Sequence, residues 1–255
     1  MADAADARTD PGPISQGSGA VLTSKFVFPR WSNYALPAIV LAVIGGMFYM
    51  PVAIGLGGSP RTTAVGYAPE QPVPYSHAVH VGKLGLDCRY CHSTVEEAAF
   101  AAIPATQTCM NCHAVVRNDS PNLKPIQDSW KTGLPVKWLK VHDLPDYAFF
   151  NHSAHVNRGV GCVSCHGRVD QMDVVSQVAP LSMGWCLDCH REPERHLRPK
   201  DMVTNMGWRA VDHPWAKEKN ITRETAAQLE VGRRLKQEYG IRDKDYMQSC
   251  YTCHR

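Results

Sequence analysis

The sequence has no cysteine outside a C-x-x-C pair and no cysteine before residue 88. It also lacks a large charge excess of either sign: 27 Lys and Arg stand against 24 Asp and Glu, a formal net charge of +3. Proteins that bind nucleic acid through its phosphates usually carry a strongly basic face or stripe. We therefore expect no nucleic-acid partner.

Segments with the apolar periodicity of helices or strands are also scarce. Residues 93–103 (STVEEAAFAAI) predict a short helix that ends before Pro104. Residues 222–240 (TRETAAQLEVGRRLKQEYG) predict a longer helix with Thr222 as N-cap and Gly240 as its stop. The rest, with most of the 18 prolines, is predicted to be loop. Apolar side chains alone would fill the core of such a domain poorly.

Charge is missing altogether from residues 31–60, WSNYALPAIVLAVIGGMFYMPVAIGLGGSP. A helix needs about 20 apolar residues to cross a bilayer core of about 30 Å, and this segment is longer. A cleaved signal peptide is the rival interpretation, but its apolar part covers only about 7–15 residues and follows its basic stretch directly. Here a long and mostly polar stretch comes first. We therefore predict one transmembrane anchor helix over residues 31–58.

Basic residues flank this anchor unequally. Lys25 and Arg30 precede it and Arg61 follows it, so the positive-inside rule favours a cytoplasmic N-terminus. We predict a cytoplasmic tail over residues 1–30 and a linker over residues 59–74. The rest of the chain then forms a periplasmic, extracytoplasmic domain of a single-pass protein of the cell membrane.

The ten cysteines form five C-x-x-C pairs, and a histidine directly follows each pair. C-x-x-C-H is the attachment motif of c-type haem: the two thiols form thioethers with the haem vinyl groups, and the histidine ligates the iron. The predicted attachment residues are Cys88 and Cys91, Cys109 and Cys112, Cys162 and Cys165, Cys186 and Cys189, and Cys250 and Cys253. The predicted proximal iron ligands are His92, His113, His166, His190 and His254.

Zinc and thiol redox chemistry are the rivals for a C-x-x-C pair. A zinc site usually combines two such pairs, and a thioredoxin-like pair would occur once, near a βαβ pattern. Five motifs with no unpaired cysteine favour five haem c groups, which would also supply the missing apolar interior. The predicted fold is a multihaem cytochrome c: a loop-rich, mainly α domain around five covalent haems, with one N-terminal transmembrane helix.

A repeat precedes two of the motifs. Residues 75–92 (YSHAVHVGKLGLDCRYCH) align with residues 150–166 (FNHSAHVNRGVGCVSCH) as aromatic, x, His, x, x, His, Val, then Gly and C-x-x-C-H. Another C-x-x-C-H follows each unit. We predict a pentahaem domain over residues 75–255, with two-haem modules at 75–141 and 142–200. A C-terminal helix and the fifth haem occupy 201–255.

The first histidine of each H-x-x-H lies close enough to its own cysteines to ligate the far face of their haem. His77 is therefore predicted to serve the haem at Cys88 and Cys91, and His152 the haem at Cys162 and Cys165. The second histidine projects one helical turn away, toward an adjacent haem. His80 and His155 are predicted to serve the Cys109/Cys112 and Cys186/Cys189 haems, although exchange between modules is an open alternative.

The fifth distal ligand has several candidates. His142 leads because it precedes the second H-x-x-H in the run WLKVHDLPDYAFFNH, and His196, His213 and Met206 are alternatives. His142 could also serve an earlier haem. Two histidines at an iron give a centre of modest potential, and a methionine would raise that potential.

These residues resemble known families. The H-x-x-H before C-x-x-C-H is similar to class III and triple-haem cytochromes c. The stretches WLKVHDLPDYAFFNHSAHV, MGWCLDCHRE and CYTCHR, behind one anchor, resemble the pentahaem membrane-anchored subunit of bacterial alternative complex III. The resemblance implies five distal histidines at positions 77, 80, 142, 152 and 155. It also implies integral-membrane subunits that oxidise quinol, an iron–sulfur subunit outside the membrane, and a monohaem cytochrome c as a possible onward carrier.

Three functions compete. The first is an electron-transfer subunit that has no enzyme activity alone and no catalytic residues, and that relays electrons from a quinol-oxidising membrane complex to an external cytochrome or other acceptor. The second is a self-sufficient quinol dehydrogenase that feeds a periplasmic reductase; the long gap between Pro60 and Cys88 argues against it. The third, a multihaem reductase, needs an iron with an open position. The five complete motifs and the spare histidines argue against that.

Overall fold

The structure is a computed structural model that describes residues 28–58 and 64–254. The predicted tail over residues 1–30 lies almost wholly outside the described residues, as does the start of the linker over residues 59–74. The chain divides into two compact units, Met1–Ala53 and Ile54–Arg255.

The N-terminal unit contains most of one long helix. A 3-10 turn, Arg30–Tyr34, leads into α1, Ala35–Gly57, which contains Pro51. Over Arg30–Gly57 the most apolar window has a mean hydropathy of 2.2, and none of it is buried. By length and composition this helix can cross a membrane, as the uncharged segment predicts.

The rest of the described chain is helical and loop-rich. Its longest helix covers Glu224–Glu238, and its one isolated antiparallel bridge in the described residues joins Val160 to Leu197. In chain order, the α-helices of this part are α2 Cys88–Cys91, α3 Thr106–His113, α4 Lys124–Thr132, α5 His152–Val156, α6 Val163–His166, α7 Met183–Arg191, α8 Pro214–Glu218, α9 Glu224–Glu238, α10 Lys244–Met247 and α11 Cys250–Cys253. A π-helix covers Ala78–Lys83, and 3-10 turns cover Pro121–Leu123, Val169–Gln171, Pro193–Arg195, Lys200–Met202 and Ala210–Asp212. The prediction of a mainly α, loop-rich domain is confirmed for this part of the chain.

The predicted helix over residues 93–103 does not form. Its backbone carbonyls have other partners: the Ala99 carbonyl accepts from His152 N at 3.1 Å, and the Ala98 carbonyl accepts from Ser153 N at 3.2 Å. Thr94 Oγ1 also donates to the Phe100 carbonyl at 2.7 Å. The segment closes a single helical turn, in which Ala98 N donates to the Thr94 carbonyl at 2.8 Å, and beyond it the carbonyls hold the start of α5.

The second predicted helix does form as α9, but Arg223 is its N-cap rather than Thr222. It packs on the turns before it and buries Ala227, Val231 and Leu235. These side chains join Leu197, Ala210 and Ala216 in one apolar cluster. We call residues 193–241, which contain this cluster, the apolar subdomain.

Candidate haem-binding site

All five C-x-x-C pairs lie on short helical turns. α2 and α11 begin at Cys88 and Cys250, α3 and α7 contain their pairs, and Cys162 is the N-cap of α6. Residues three apart on a helix project from the same face, so the two thiols of each pair point the same way. That is the arrangement that two thioethers to one porphyrin edge require. All ten cysteines are free thiols in the described chain.

Four of the predicted proximal histidines have their Nδ1 atoms held by backbone carbonyls. His92 Nδ1 lies 2.8 Å from the Ala102 oxygen, and His190 Nδ1 lies 2.9 Å from the Met247 oxygen. His113 and His254 make the same contact with Val116 and Tyr147, at 2.9 Å each. A carbonyl can only accept, so Nδ1 carries the proton and the Nε2 lone pair is left for a metal. This outer hydrogen bond is the usual way in which a protein orients an imidazole ligand.

Three of the predicted distal histidines also have Nδ1 held by a backbone carbonyl. His80 Nδ1 donates to Ser76 O and His155 Nδ1 donates to Asn151 O, each at 2.8 Å and each one helical turn back. His152 Nδ1 donates to Ala99 O at 2.8 Å. Residues 93–103, which do not form the predicted helix, therefore have a role in the site, because their carbonyls orient both His92 and His152.

The two H-x-x-H units are alike in three dimensions. Tyr75 stacks on His80 at 4.3 Å between ring centroids and meets His77 edge-on at 4.8 Å. Phe150 does the same with His155 at 4.6 Å and His152 at 4.7 Å. Sequence reasoning noted these aromatic residues as part of the repeat but missed their role, which is to hold both imidazoles of the unit. Their fixed position two residues before the first histidine was the available signal.

Several histidine pairs have the separation expected across an iron. A metal–imidazole bond is about 2 Å and the ring centroid lies about 1 Å further, so two rings on one iron have centroids about 6 Å apart. The pairs His80–His113 and His155–His190 have centroids 6.1 Å and 6.2 Å apart. His152 and His166 lie 6.5 Å apart with planes at 11°. These are the pairings that the sequence predicts for the second, fourth and third motifs.

His77 lies among the remaining histidines of this region. Burial, and then the charge of His92, lower the pKa of His77 to about 4. His77 Nδ1 is buried without a hydrogen-bond partner. Burial also lowers the pKa of His166 to about 3, with His142, His152, His92 and His77 adding to the shift. The first and third motifs are thus neighbours, with their histidines in one cluster.

His142 lies beside His166 and not beside His254. The centroids of His142 and His166 are 4.5 Å apart, too close for both rings to ligate the same iron as it stands. His142 Nε2 is buried without a hydrogen-bond partner, as a nitrogen that ligates a metal would be. The ring packed near His254 belongs to Tyr147, at 6.0 Å. Among the described residues, the ring contacts of His254 include no histidine.

The three alternative ligands differ in their surroundings. His213 Nδ1 accepts from Trp215 N at 3.2 Å as the N-cap of α8, so its proton is on Nε2, the wrong tautomer for an Nε2 ligand. Burial lowers the pKa of His196. Met206 is buried, with 8% of its surface exposed.

The thiols of successive pairs are neighbours in a definite order. Cys88 and Cys162 share a hydrogen bond, which raises the pKa of Cys88. Burial raises the pKa of Cys91, and the charges of Cys109, Cys88 and Cys112 add to it. The energy of two interacting charges falls as their separation grows, so groups that shift each other's pKa lie near one another. The second motif therefore adjoins the first, and the first adjoins the third.

The thiols of the third, fourth and fifth motifs are neighbours in the same way. Burial, and then the charges of Cys189 and Cys186, raise the pKa of Cys165 to about 12. Burial, and then the charge of Cys253, raise the pKa of Cys186. The third motif thus adjoins the fourth, and the fourth adjoins the fifth. In space the motifs run in the order second, first, third, fourth, fifth.

No protein-family model matches the chain. Over 98 residues the chain is 41% identical to the multihaem cytochrome c subunit of menaquinone reductase from Nitratidesulfovibrio vulgaris strain Hildenborough. The match covers 38% of this chain and 46% of that protein, so the chain spans about half the length of the curated relative. Together with the oriented imidazoles and paired thiols, this similarity supports a multihaem cytochrome c that carries haem c and transfers electrons.

Proposed function

We propose that the chain is a membrane-anchored pentahaem cytochrome c that relays electrons between a quinone-reactive membrane complex and an external partner. The observation that carries this proposal is the unbroken order of neighbouring thiol pairs. Haem c supplies the one-electron chemistry, and the protein supplies spacing, ligation and tuning of potential. The chain is then a subunit of an oxidoreductase complex and not an enzyme alone.

Both ends of this order are more exposed than its middle. At one end, Cys112 is exposed and Val115, just after the second motif, is 81% exposed. At the other end, Cys250 is exposed and Tyr251 is 83% exposed. The thiols of the first, third and fourth motifs are all partly buried. We infer that electrons enter and leave through the second and fifth haems.

The chain's own residues would ligate each iron from both sides. In this proposal the distal ligands are His80, His155 and His152 for the second, fourth and third haems, and His77 for the first. His142, whose Nε2 is buried without a hydrogen-bond partner, lies at the junction of the first and third motifs and is the alternative to His77 as distal ligand of the first haem. The fifth haem then takes a ligand other than these five histidines.

The partners follow from the resemblance and the similarity. We propose integral-membrane quinone-reactive subunits, an iron–sulfur subunit, and a monohaem cytochrome c as onward carrier. α1 anchors the chain in the cell membrane with the haem domain outside. Electron flow is proposed from quinol to the external acceptor. Because the relative is named for menaquinone reduction, the test must measure flow in both directions.

The test begins with the mass of the mature chain, which should exceed the polypeptide mass by five haems. The intact complex in membrane vesicles should then reduce these haems on addition of a menaquinol analogue. Addition of an external reductant should reduce the quinone only if flow is reversed. The purified chain alone should react slowly with quinol; rapid reduction without partners would favour the self-sufficient quinol dehydrogenase. Fewer than five haems on the chain would overturn the proposal.

A further inference from the structure

Arg198 is placed against the third motif by backbone pairing. Leu197 forms the isolated bridge with Val160, and Arg198 N donates to the Gly159 carbonyl at 2.8 Å. The guanidinium then lies across Gly161, the residue before Cys162. A Cβ atom on Gly161 would lie 2.2 Å from Arg198 Nε and 2.4 Å from Cζ. Glycine at this position is therefore required for the guanidinium to approach the motif.

Among the described residues, no carboxylate forms an ion pair with this buried guanidinium. Arg198 is 7% exposed, and its Nη1 donates to the Asn205 carbonyl at 2.8 Å. Its Cζ lies 5.2 Å from the centre of the Trp208 ring. Nε is buried without a hydrogen-bond partner. Burial lowers the pKa of Arg198, and the neighbouring Cys162 acts in the opposite direction.

The position of this charge has an electrical consequence. The sulfur of Cys162 is uncharged as a thiol and would be uncharged as a thioether, so it does not neutralise the guanidinium. A charge acts strongly in a low-dielectric interior, where water does not screen it. An oxidised haem carries one more positive charge than a reduced haem, so a nearby cation favours the reduced form.

We propose that Arg198 is a tuning residue that raises the reduction potential of the haem attached at Cys162 and Cys165, the middle haem of the relay. This inference rests on the proposed function, because it needs a haem at that motif. A raised potential at the middle position makes this haem a resting point for electrons that arrive from either end.

The apolar subdomain contains a matched control. Arg234 also stacks on a tryptophan, with Cζ 5.1 Å from the centre of the Trp215 ring. Its Nε lies 3.1 Å from Glu230, so its charge is compensated, and its side chain is 34% exposed. Loss of Arg234 removes a stacked guanidinium from the same subdomain without removing an unpaired charge.

The experiment is a potentiometric titration of the purified, haem-loaded chain. Electron paramagnetic resonance monitors the signal of each haem during the titration. In Arg198→Gln, one midpoint potential should fall by about 59 mV or more, a tenfold change in a one-electron equilibrium. The others should stay in place. Arg198→Lys should restore most of the shift, and Arg234→Gln should cause none. The signal that moves should be the one that His152→Met also alters.

Arg198→Met removes the charge but keeps much of the buried aliphatic part of the side chain. This variant replaces Arg198→Gln in the experiment if the glutamine variant does not fold. Unchanged midpoint potentials in a charge-free variant with full haem content would overturn the inference and leave the proposed function intact. Absence of haem from the Cys162 motif in the mass of the wild-type chain would overturn both. A structural role alone would lower the unfolding temperature equally in Arg198→Gln and Arg198→Lys and would move no potential.

Discussion

Leu197, Ala227 and Val231 of the apolar subdomain have no exposed surface. In residues 75–192 the buried apolar side chains are few, namely Ile126, Val156 and Ala179, and they do not join the apolar cluster. In that region most of the cysteines and all of the histidines are partly buried. The apolar subdomain builds its interior from side chains, whereas residues 75–192 carry four of the five attachment motifs, whose porphyrins would fill the interior instead.

The largest expected effect is therefore that of haem removal. A chain produced without haem attachment should lose the order of residues 75–192, because that region has little side-chain core to offset the entropy of folding. The apolar subdomain should retain helix α9. Hydrogen exchange followed by mass spectrometry should find slow amides around Val231 in both forms.

Equal protection from hydrogen exchange in residues 75–192 and in the apolar subdomain of the haem-free chain would contradict this prediction. A second contrary result would be complete loss of protection in α9, since this would show that the apolar subdomain depends on the haems. Haem-loaded protein measured under the same conditions is the reference.

Leu235→Ala should have the next largest effect. Leu235 is 2% exposed within the apolar cluster, and truncation of a buried leucine costs about 2–5 kcal/mol. The loss should appear as faster exchange in α9, while the visible spectrum of the haems stays unchanged. Arg233→Ala, on the exposed face of the same helix, is the control and should leave exchange nearly unchanged.

Gly232→Ala should also destabilise the apolar subdomain, but by overpacking rather than by leaving a cavity. A Cβ on Gly232 would lie 1.9 Å from the Glu194 carbonyl oxygen, which is backbone and cannot swing away. Overpacking of this kind costs about 1–3 kcal/mol. Thermal unfolding of the apolar subdomain should shift to lower temperature. An unchanged unfolding temperature would mean that α9 does not sit this close to the turn at Pro193–Arg195.

The sequence predicts the two regions with unequal success. The attachment motifs depend on local spacing, and the structure places all five on helical turns. α9 follows from apolar periodicity, although its N-cap is one residue later than expected. Residues 93–103 have the composition of a helix, but their carbonyls hold His152 and His92, and no local pattern reveals partners so distant in sequence. The contact of Arg198 with Gly161 is equally non-local.

The position of His142 shows the same limit. Its place in the run WLKVHDLPDYAFFNH makes it the leading sequence candidate for the fifth iron. The structure places it beside His166, and the assignment of the fifth distal ligand stays a prediction. Pairing by sequence distance agrees with the ring separations of His80, His152 and His155, each of which lies on a single helical turn. It has no force for a histidine in a loop.

Phe150→Leu should have a smaller effect, confined to the haem-binding region. It removes the ring that contacts both His152 and His155, and such aromatic contacts contribute about 0.5–1.5 kcal/mol. The resonance signals of the two haems served by these histidines should broaden as the imidazoles gain freedom. Tyr75→Leu is the matched variant in the other unit and should broaden a different pair of signals. Broadening of the same pair by both variants would contradict the two-unit arrangement.

The smallest expected effect concerns the link between the two regions. Asp87 caps α2 through Arg89 N at 2.8 Å and accepts from Thr204 Oγ1 at 2.8 Å. A hydrogen bond from Arg89 lowers the pKa of Asp87 from 3.8 to about 2. Because the folded pKa is depressed, the carboxylate stabilises the fold above about pH 4, the unfolded value. That contribution is lost as pH falls toward 2.

In Asp87→Asn, the fall in stability between about pH 4 and pH 2 should be slightly less steep than in the wild type, since one acid-sensitive group is gone. The difference should be small because Asp87 and Arg89 are largely exposed and water screens their charges. Arg89→Gln should flatten the same part of the curve by removing the donor. Denaturant unfolding at several pH values measures this, and parallel curves for all three proteins would show that the Asp87 carboxylate does not stabilise the contact between the first motif and residue 204.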